Sequence, residues 1–322
     1  MKVLLVLLAL SAPSFGFHVE KVADPSPFPA SHEGFLEMAQ KAAIHLNHSE
    51  LVFGGQPAQL GYFPYEGFLT YKSSDGQSYI CGASLVTKTH VITAAHCAAS
   101  LVSGQLLFGS VQMYQKGPNS QTRHITNKVV HPQYVDGDPR VHNDIAVLEF
   151  SPAVSINKDV QLVKIPVDDA PVLSVGKAFV SGFGTYTYQG NQPVTSQYMR
   201  YAEVDLVKKA VCRQKWGAGS DILDSQICAG SAGRGVGPGD SGGPIQVKYN
   251  GQLYQVGLSS FVYSDLNVMQ HGQDRIPNVF TRASSFCTFI SQSTHGGFRC
   301  VDVKGGGGGG GGGSGNCPPA RK

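Results

Sequence analysis

From residue 52 onward the chain breaks into short runs rich in β-branched and aromatic residues, such as 84–93, 144–150, 178–184 and 253–260, separated by glycine, proline and asparagine. Runs of this length with turn residues between them predict strands, because branched side chains fit a pleated, half-buried surface. Apolar positions at helical spacing are scarce, and only 204–216 and 284–293 predict helix. The pattern therefore predicts an all-β body with a short C-terminal helix.

The two ends depart from this pattern. Lys2 is followed by an apolar run over 3–10 and then by the small residues Ser14 and Gly16 around Phe15, the layout of a secretory signal peptide ending near Gly16. The run is too short to cross a bilayer, so the reading is a secreted, extracellular protein that loses residues 1–16 and has no membrane partner. Residues 17–51 are rich in proline, histidine and small polar residues, carry the sequon Asn47-His48-Ser49, and read as a propeptide. The body is expected over 52–295. A C-terminal extension, 296–322, follows, and its nine glycines (305–313) can pack no side chains and form a flexible tether.

Composition narrows the function classes. With 322 residues, 41% of them apolar and 15% charged, the chain can bury a sizeable core. A formal net charge of +3 comes without the basic run that tracks phosphates, which argues against nucleic acid as a partner. The histidines lack metal-ligand spacing and no acidic pair of a calcium loop lies between Leu106 and Ile125, so neither a metal nor another cofactor is expected.

Candidate chemistry enters at Gly239-Asp240-Ser241-Gly242-Gly243-Pro244, where a hydroxyl sits between glycines whose backbone can crowd a substrate carbonyl. A serine hydroxyl is a weak nucleophile until a base takes its proton, so a histidine and a group to orient it are needed. Thr93-Ala94-Ala95-His96-Cys97 and His142-Asn143-Asp144-Ile145-Ala146 supply both. Singly, each residue reads as a turn or cap residue. Jointly, in the order His96, Asp144, Ser241, the motifs resemble those of the chymotrypsin/trypsin family of serine proteases, and the resemblance runs from about Val52 to Ser291. It implies two packed six-stranded antiparallel β-barrels, with His96 and Asp144 from the first and Ser241 from the second. It also implies a serine endopeptidase in which Ser241 attacks a peptide carbonyl, His96 moves the proton and Asp144 holds the imidazole tautomer. The amides of Gly239 and Ser241 would form the oxyanion hole. A catalytically inactive homologue, serving as a binding or scaffolding module, is the alternative.

The same resemblance carries further expectations. Val52-Phe53-Gly54-Gly55 looks like the family's activation sequence, in which a cut between Leu51 and Val52 frees an amino terminus that pairs with Asp240. Leu51, in place of a basic residue, implies a leucine-preferring activator. Seven cysteines suit an oxidising compartment. The resemblance suggests Cys81 with Cys97 and Cys212 with Cys228, with Cys287 and Cys300 then a local pair and Cys317 left over. The pocket floor of relatives falls six residues before the nucleophile, here Gly235, which offers no carboxylate to a basic side chain. Val236 adds an apolar wall. Val262 and Asn278 stand where glycines keep a chymotrypsin-like slot open, which favours small or medium apolar residues. Ser260 matches the serine that hydrogen-bonds the catalytic aspartate, and Phe261 stands beside it in place of a tryptophan. Polypeptide substrates, an activating protease and protease inhibitors are the expected partners.

Overall fold

Two sheets each close on themselves. In the computed structural model, which describes residues 52–113, 117–138, 140–217 and 221–303 and the backbone of 3–4 and 19–21, the first barrel comprises β1 (Glu66–Ser73), β2 (Ser78–Leu85), β3 (His90–Thr93), β4 (Leu101–Phe108), β5 (Gln121–Val130) and β6 (Ala146–Ser151). Their antiparallel order is β5-β4-β1-β2-β3-β6, and β6 returns to β5 with Val147 opposite Val129. The second comprises β7 (Lys177–Gly182), β8 (Arg200–Val207), β9 (Gln226–Ala229), β10 (Pro244–Tyr249), β11 (Gln252–Tyr263) and β12 (Asn278–Arg282). Its order is β11-β10-β7-β8-β9-β12, closed by Leu258 opposite Thr281. The expected all-β architecture of two six-stranded barrels is present.

Each barrel has its own core. Leu69, Leu85, Ile92, Leu106, Phe108 and Phe150 fill the first, and Val180, Val204, Ile245, Val256 and Phe280 the second. A third cluster of rings, Phe63, Phe68, Phe179, Phe183 and Tyr201, packs β1 against β7 and β8. Each fully buried side chain of this kind is worth about 1.5–3 kcal/mol, so each barrel holds its own shape and a site can be assembled from the edges of both.

Two sequence expectations are corrected. The segment 204–216 splits, because Val204 and Val207 pair with Ala178 and Cys228 in the β-ladder and the helix begins only at Lys209, running Lys209–Trp216. The final segment forms the expected short C-terminal helix, Cys287–Ser293, entered through a 3₁₀ turn, Ala283–Phe286. The packed body also continues past residue 295. Phe298 joins the first core, Cys300 is bonded to Cys287, and Val301 bridges to Pro166, so 296–303 belong to the body and not to a tail. The signal peptide apart from the backbone of 3–4, the propeptide apart from that of 19–21, Leu51, the glycine run and Cys317 lie outside the described residues.

Candidate active site

The barrels meet where two backbones touch. A Cβ on Gly82 of β2 would sit 2.5 Å from Cα of Gly243, so only glycine allows the contact, and the Gly82 amide donates to the Ser241 carbonyl at 2.8 Å. The turn carrying Ser241 is fastened to β11 by Gly242 N–H to Ser259 O and Ser259 N–H to Gly243 O, both 2.8 Å. The Cys81–Cys97 disulfide joins β2 to the short helix Ala95–Ala99 that carries His96. Cys212–Cys228 joins the Lys209–Trp216 helix to β9.

Asp144, just ahead of β6, is completely buried. It accepts the His96 main-chain amide at 3.0 Å and the Ser260 hydroxyl at 2.6 Å, and it pairs with His96 Nδ1 at 2.9 Å. Its own carbonyl accepts Thr281 Oγ1 at 2.9 Å. Burial alone would raise this carboxyl, but the facing His96 and the three hydrogen bonds hold it below the ordinary range. Burial would likewise depress His96; the Asp144 charge and hydrogen bond outweigh it and raise the imidazole. With Nδ1 held by Asp144, Nε2 is the atom left to exchange a proton. Among the described residues the Ser241 hydroxyl makes no hydrogen bond, and what positions Ser241 is its main chain.

Backbone amides complete the picture. From Gly237 to Gly243, Gly237 donates to Asp240 Oδ2, Asp240 to Gly237 O, Gly242 to Ser259 O and Gly243 to Asp240 O. The two remaining N–H groups, those of Gly239 and Ser241, have no protein acceptor among the described residues. Gly239 adopts φ +96°, a conformation L side chains rarely take, and a Cβ there would lie 3.0 Å from Gly184 and Ile80.

The Asp240 carboxyl packs against the end of β7 and the turn that follows it. A Cβ on Gly182 would lie 2.1 Å from its Oδ1, and one on Gly184 would collide as well. Its oxygens accept the amides of Gly184 (2.8 Å) and Gly237 (3.0 Å), yet burial pushes the carboxyl up to about 7. A second buried acid, absent from the sequence-based site, lies nearby. Glu66 is 3% exposed, accepts from Ser181 through Oε2 and has no partner for Oε1. Burial, with Asp240 adding to it, pushes Glu66 to about 8. Its only sequence signal is a charge opening the largely apolar run of β1.

Val52 and Phe53 are buried at 1% and 2% exposure. Phe53 bridges to Gly235 and its ring would touch a Cβ on Gly237 at 2.9 Å. Val52 adopts φ +44°, which strains a β-branched residue.

At the expected pocket, Gly235 has room for no side chain, because a Cβ would lie 2.1 Å from Asn278 Oδ1. That oxygen accepts the Val236 amide at 3.0 Å. Val236 and Val262 share the second core, whereas Phe261 turns edge-on to Trp216 in a separate cluster. Gln273, which the sequence reading omitted, is fully buried beside Gly235, its Cγ 3.0 Å from that Cβ position, and its Oε1 is unpartnered. The floor is thus polar and uncharged. No group of three His, Cys, Asp or Glu among the described residues is placed to hold a metal, and no described helix is long and apolar enough to cross a membrane.

Comparison with known proteins places this geometry in context. The family model described as Trypsin matches residues 52–290. The chain is 31% identical to chymotrypsin-like elastase family member 1 of Canis lupus familiaris over 242 residues, covering 74% of this chain and 91% of that protein. It is 32% identical to trypsin-1 of Astacus astacus, covering 74% and 98%. A solved structure of HL collagenase superposes with a TM-score of 0.64 at 24% identity, covering 76% of this chain and 99% of that one, a likeness of fold.

Proposed function

The chain belongs to the trypsin family of serine endopeptidases, and from that premise we propose that His96, Asp144 and Ser241 are its catalytic triad. Ser241 Oγ attacks the scissile carbonyl while His96 Nε2 takes its proton, and His96 then returns a proton to the leaving amine. Asp144 holds the tautomer and stabilises the imidazolium. The oxyanion is received by the amides of Gly239 and Ser241, each such donor lowering the barrier by about 2.7–4 kcal/mol. The observation carrying the reading is that these two amides alone, among the non-proline residues of 237–243, lack an acceptor beside the His96–Asp144–Ser260 array. Relatives named elastase and trypsin favour an active enzyme over an inactive homologue.

The protein is secreted as a precursor, with 1–16 as signal peptide and 17–51 as propeptide, and a leucine-preferring protease cuts between Leu51 and Val52. A terminal residue has no preceding carbonyl and hence no φ to strain, so the cut relieves Val52. The same cut places an ammonium where Asp240 lacks a cation. The uncharged floor at Gly235, with Asn278, Gln273, Val236 and Val262 around it, supports cleavage after small or medium apolar residues of polypeptide substrates.

Labelling with a fluorophosphonate tests the assignment. The chain cut after Leu51 should label and show Val52 by amino-terminal sequencing, whereas the uncut chain and Ser241→Ala should not label. Equal labelling of Ser241→Ala would exclude Ser241 as nucleophile, and an active form beginning elsewhere would exclude the Val52–Asp240 link.

A further inference from the structure

A cavity of about 210 Å³ lies on the outer face of the first barrel, between β3, β5, β6 and the end of the C-terminal helix. None of the triad, pocket or activation residues lines it. Its floor follows from strand register. Asn127 stands opposite Glu149 and Glu149 opposite His90, while one row along Val129 stands opposite Val147. Residues directly opposite share a face, so a polar, acidic row lies beside an aliphatic one. Ser293 and His295 close the far wall.

The lining is incompletely satisfied. Ser293 is 8% exposed and its Oγ has no hydrogen-bond partner, a state that natural interiors avoid. The His90 ring is fixed by the Thr87 and Thr89 hydroxyls, each 2.9 Å from Nδ1, and burial holds the imidazole toward its neutral form. Glu149, whose Oε2 accepts from Asn127 Nδ2 at 2.5 Å, therefore sets the sign of the cavity. The lining residues are not placed to hold a metal, which leaves an organic cation.

We propose that this cavity binds a primary ammonium on a short aliphatic stem, the chemistry of a lysine side chain, with the stem on Val129 and Val147 and the ammonium shared by Glu149 and the Ser293 hydroxyl. Such a group has two sources. It can arrive on another molecule, or it can belong to this chain, since the backbone of 19–21 pairs with β5 with Lys21 opposite Asn127, in the row of Glu149.

Calorimetric titration of Nα-acetyl-lysine methylamide into the full chain and into its Lys21→Ala variant tests this, with the norleucine analogue as uncharged isostere. The lysine probe should bind at least tenfold more tightly than norleucine, and Glu149→Gln should weaken it about tenfold. Tighter binding to Lys21→Ala than to the parent chain assigns the site's own occupant to Lys21; equal binding assigns the site to an external ligand. Ring-proton shifts of His90 and His295 on titrating the unmutated chain and Lys21→Ala locate the probe whichever source fills the site. The proposal is overturned by histidine resonances that stay unmoved in both the parent chain and Lys21→Ala, by unchanged affinity in Glu149→Gln, by equal binding of norleucine, or by no binding to either protein.

Discussion

Asp144 and Asp240 are both buried carboxyls at the junction of the barrels, and their surroundings push them in opposite directions. Asp144 faces an imidazole and accepts three hydrogen bonds from His96 and Ser260; it is held below the ordinary range. Asp240 accepts two amides and, among the described residues, faces no cation, and it rises to about 7. Neutral donors do not offset the desolvation of a carboxylate; a partner able to carry charge does. In the proposed mechanism the side that orients the base is thus already satisfied, whereas the side beneath the oxyanion amides gains its positive charge only on cleavage after Leu51.

Breaking the finished half should have the largest effect. Asp144→Asn keeps the shape but cannot fix the same tautomer of His96, and kcat/KM of the cut enzyme should fall about 10⁴-fold, the magnitude known for this mechanism. The pH limb set by His96, which the Asp144 charge raises, should shift to lower pH in the variant. A loss below tenfold would mean that Asp144 is not what orients the base.

On the unfinished side, Asp240→Asn removes the charge that a Val52 ammonium would meet. Leaving a buried ammonium unpaired costs about 3–5 kcal/mol, so kcat/KM of the cut enzyme should drop roughly 10²–10⁴-fold, with fluorophosphonate labelling slowed in proportion. Labelling at the parental rate would show that the Val52–Asp240 pair does not hold the loop of Gly239 and Ser241.

This contrast was only half legible in the sequence. The proposed triad His96, Asp144 and Ser241 could be named from sequence because each sits in a local motif, and Ser260 was expected only through the resemblance; the structure brings Ser260 onto Asp144 across 116 positions. The structure pairs Cys81 with Cys97 and Cys212 with Cys228, as the resemblance suggested, and joins the remaining local pair, Cys287 and Cys300. Glu66 was missed because its partner Ser181 lies 115 positions away and an acid at the start of a strand ordinarily reads as a solvated edge residue. Gln273 was missed for a similar reason, its burial against Gly235 arising from a loop whose path no periodicity reports. The split at 207–209 was hidden because branched residues in β8 and the first helical turn share apolar spacing over so few positions.

Glu66 offers the next test, in stability rather than turnover. Its folded value of about 8 lies above its ordinary 4.5, so between those values the native chain holds more protons than the unfolded one. Its contribution is fully present below about pH 4.5 and is lost as pH rises through 8. Glu66→Gln keeps an acceptor for Ser181 and has no charge to bury. In denaturant titrations of the uncut chain, the variant should match the parent near pH 4 and exceed it at pH 8 by an amount on the order of a few kcal/mol. A parent whose stability does not fall from pH 4.5 to 8 relative to the variant would place Glu66 with Asp144, as a satisfied carboxylate.

The smallest effect is expected in the pocket, whose wall belongs to the same loop as Asp240. Val262 is 6% exposed and packs with Val236 in the second core; in the proposed slot its side chain would occupy volume that an aromatic ring needs. Val262→Gly opens that volume without adding charge, while the floor around Gly235 stays neutral because Asn278 and Gln273 remain. The ratio of kcat/KM for Phe over Ala substrates should rise about tenfold, as a methylene in a pocket is worth roughly 1–3 kcal/mol. Part of the gain is offset, since the lost valine also loosens the packing on Val236 and allows the wall to relax inward. A parent enzyme that already prefers Phe, or that cuts best after Arg, would show that Gly235, Val262 and Asn278 do not bound the substrate side chain.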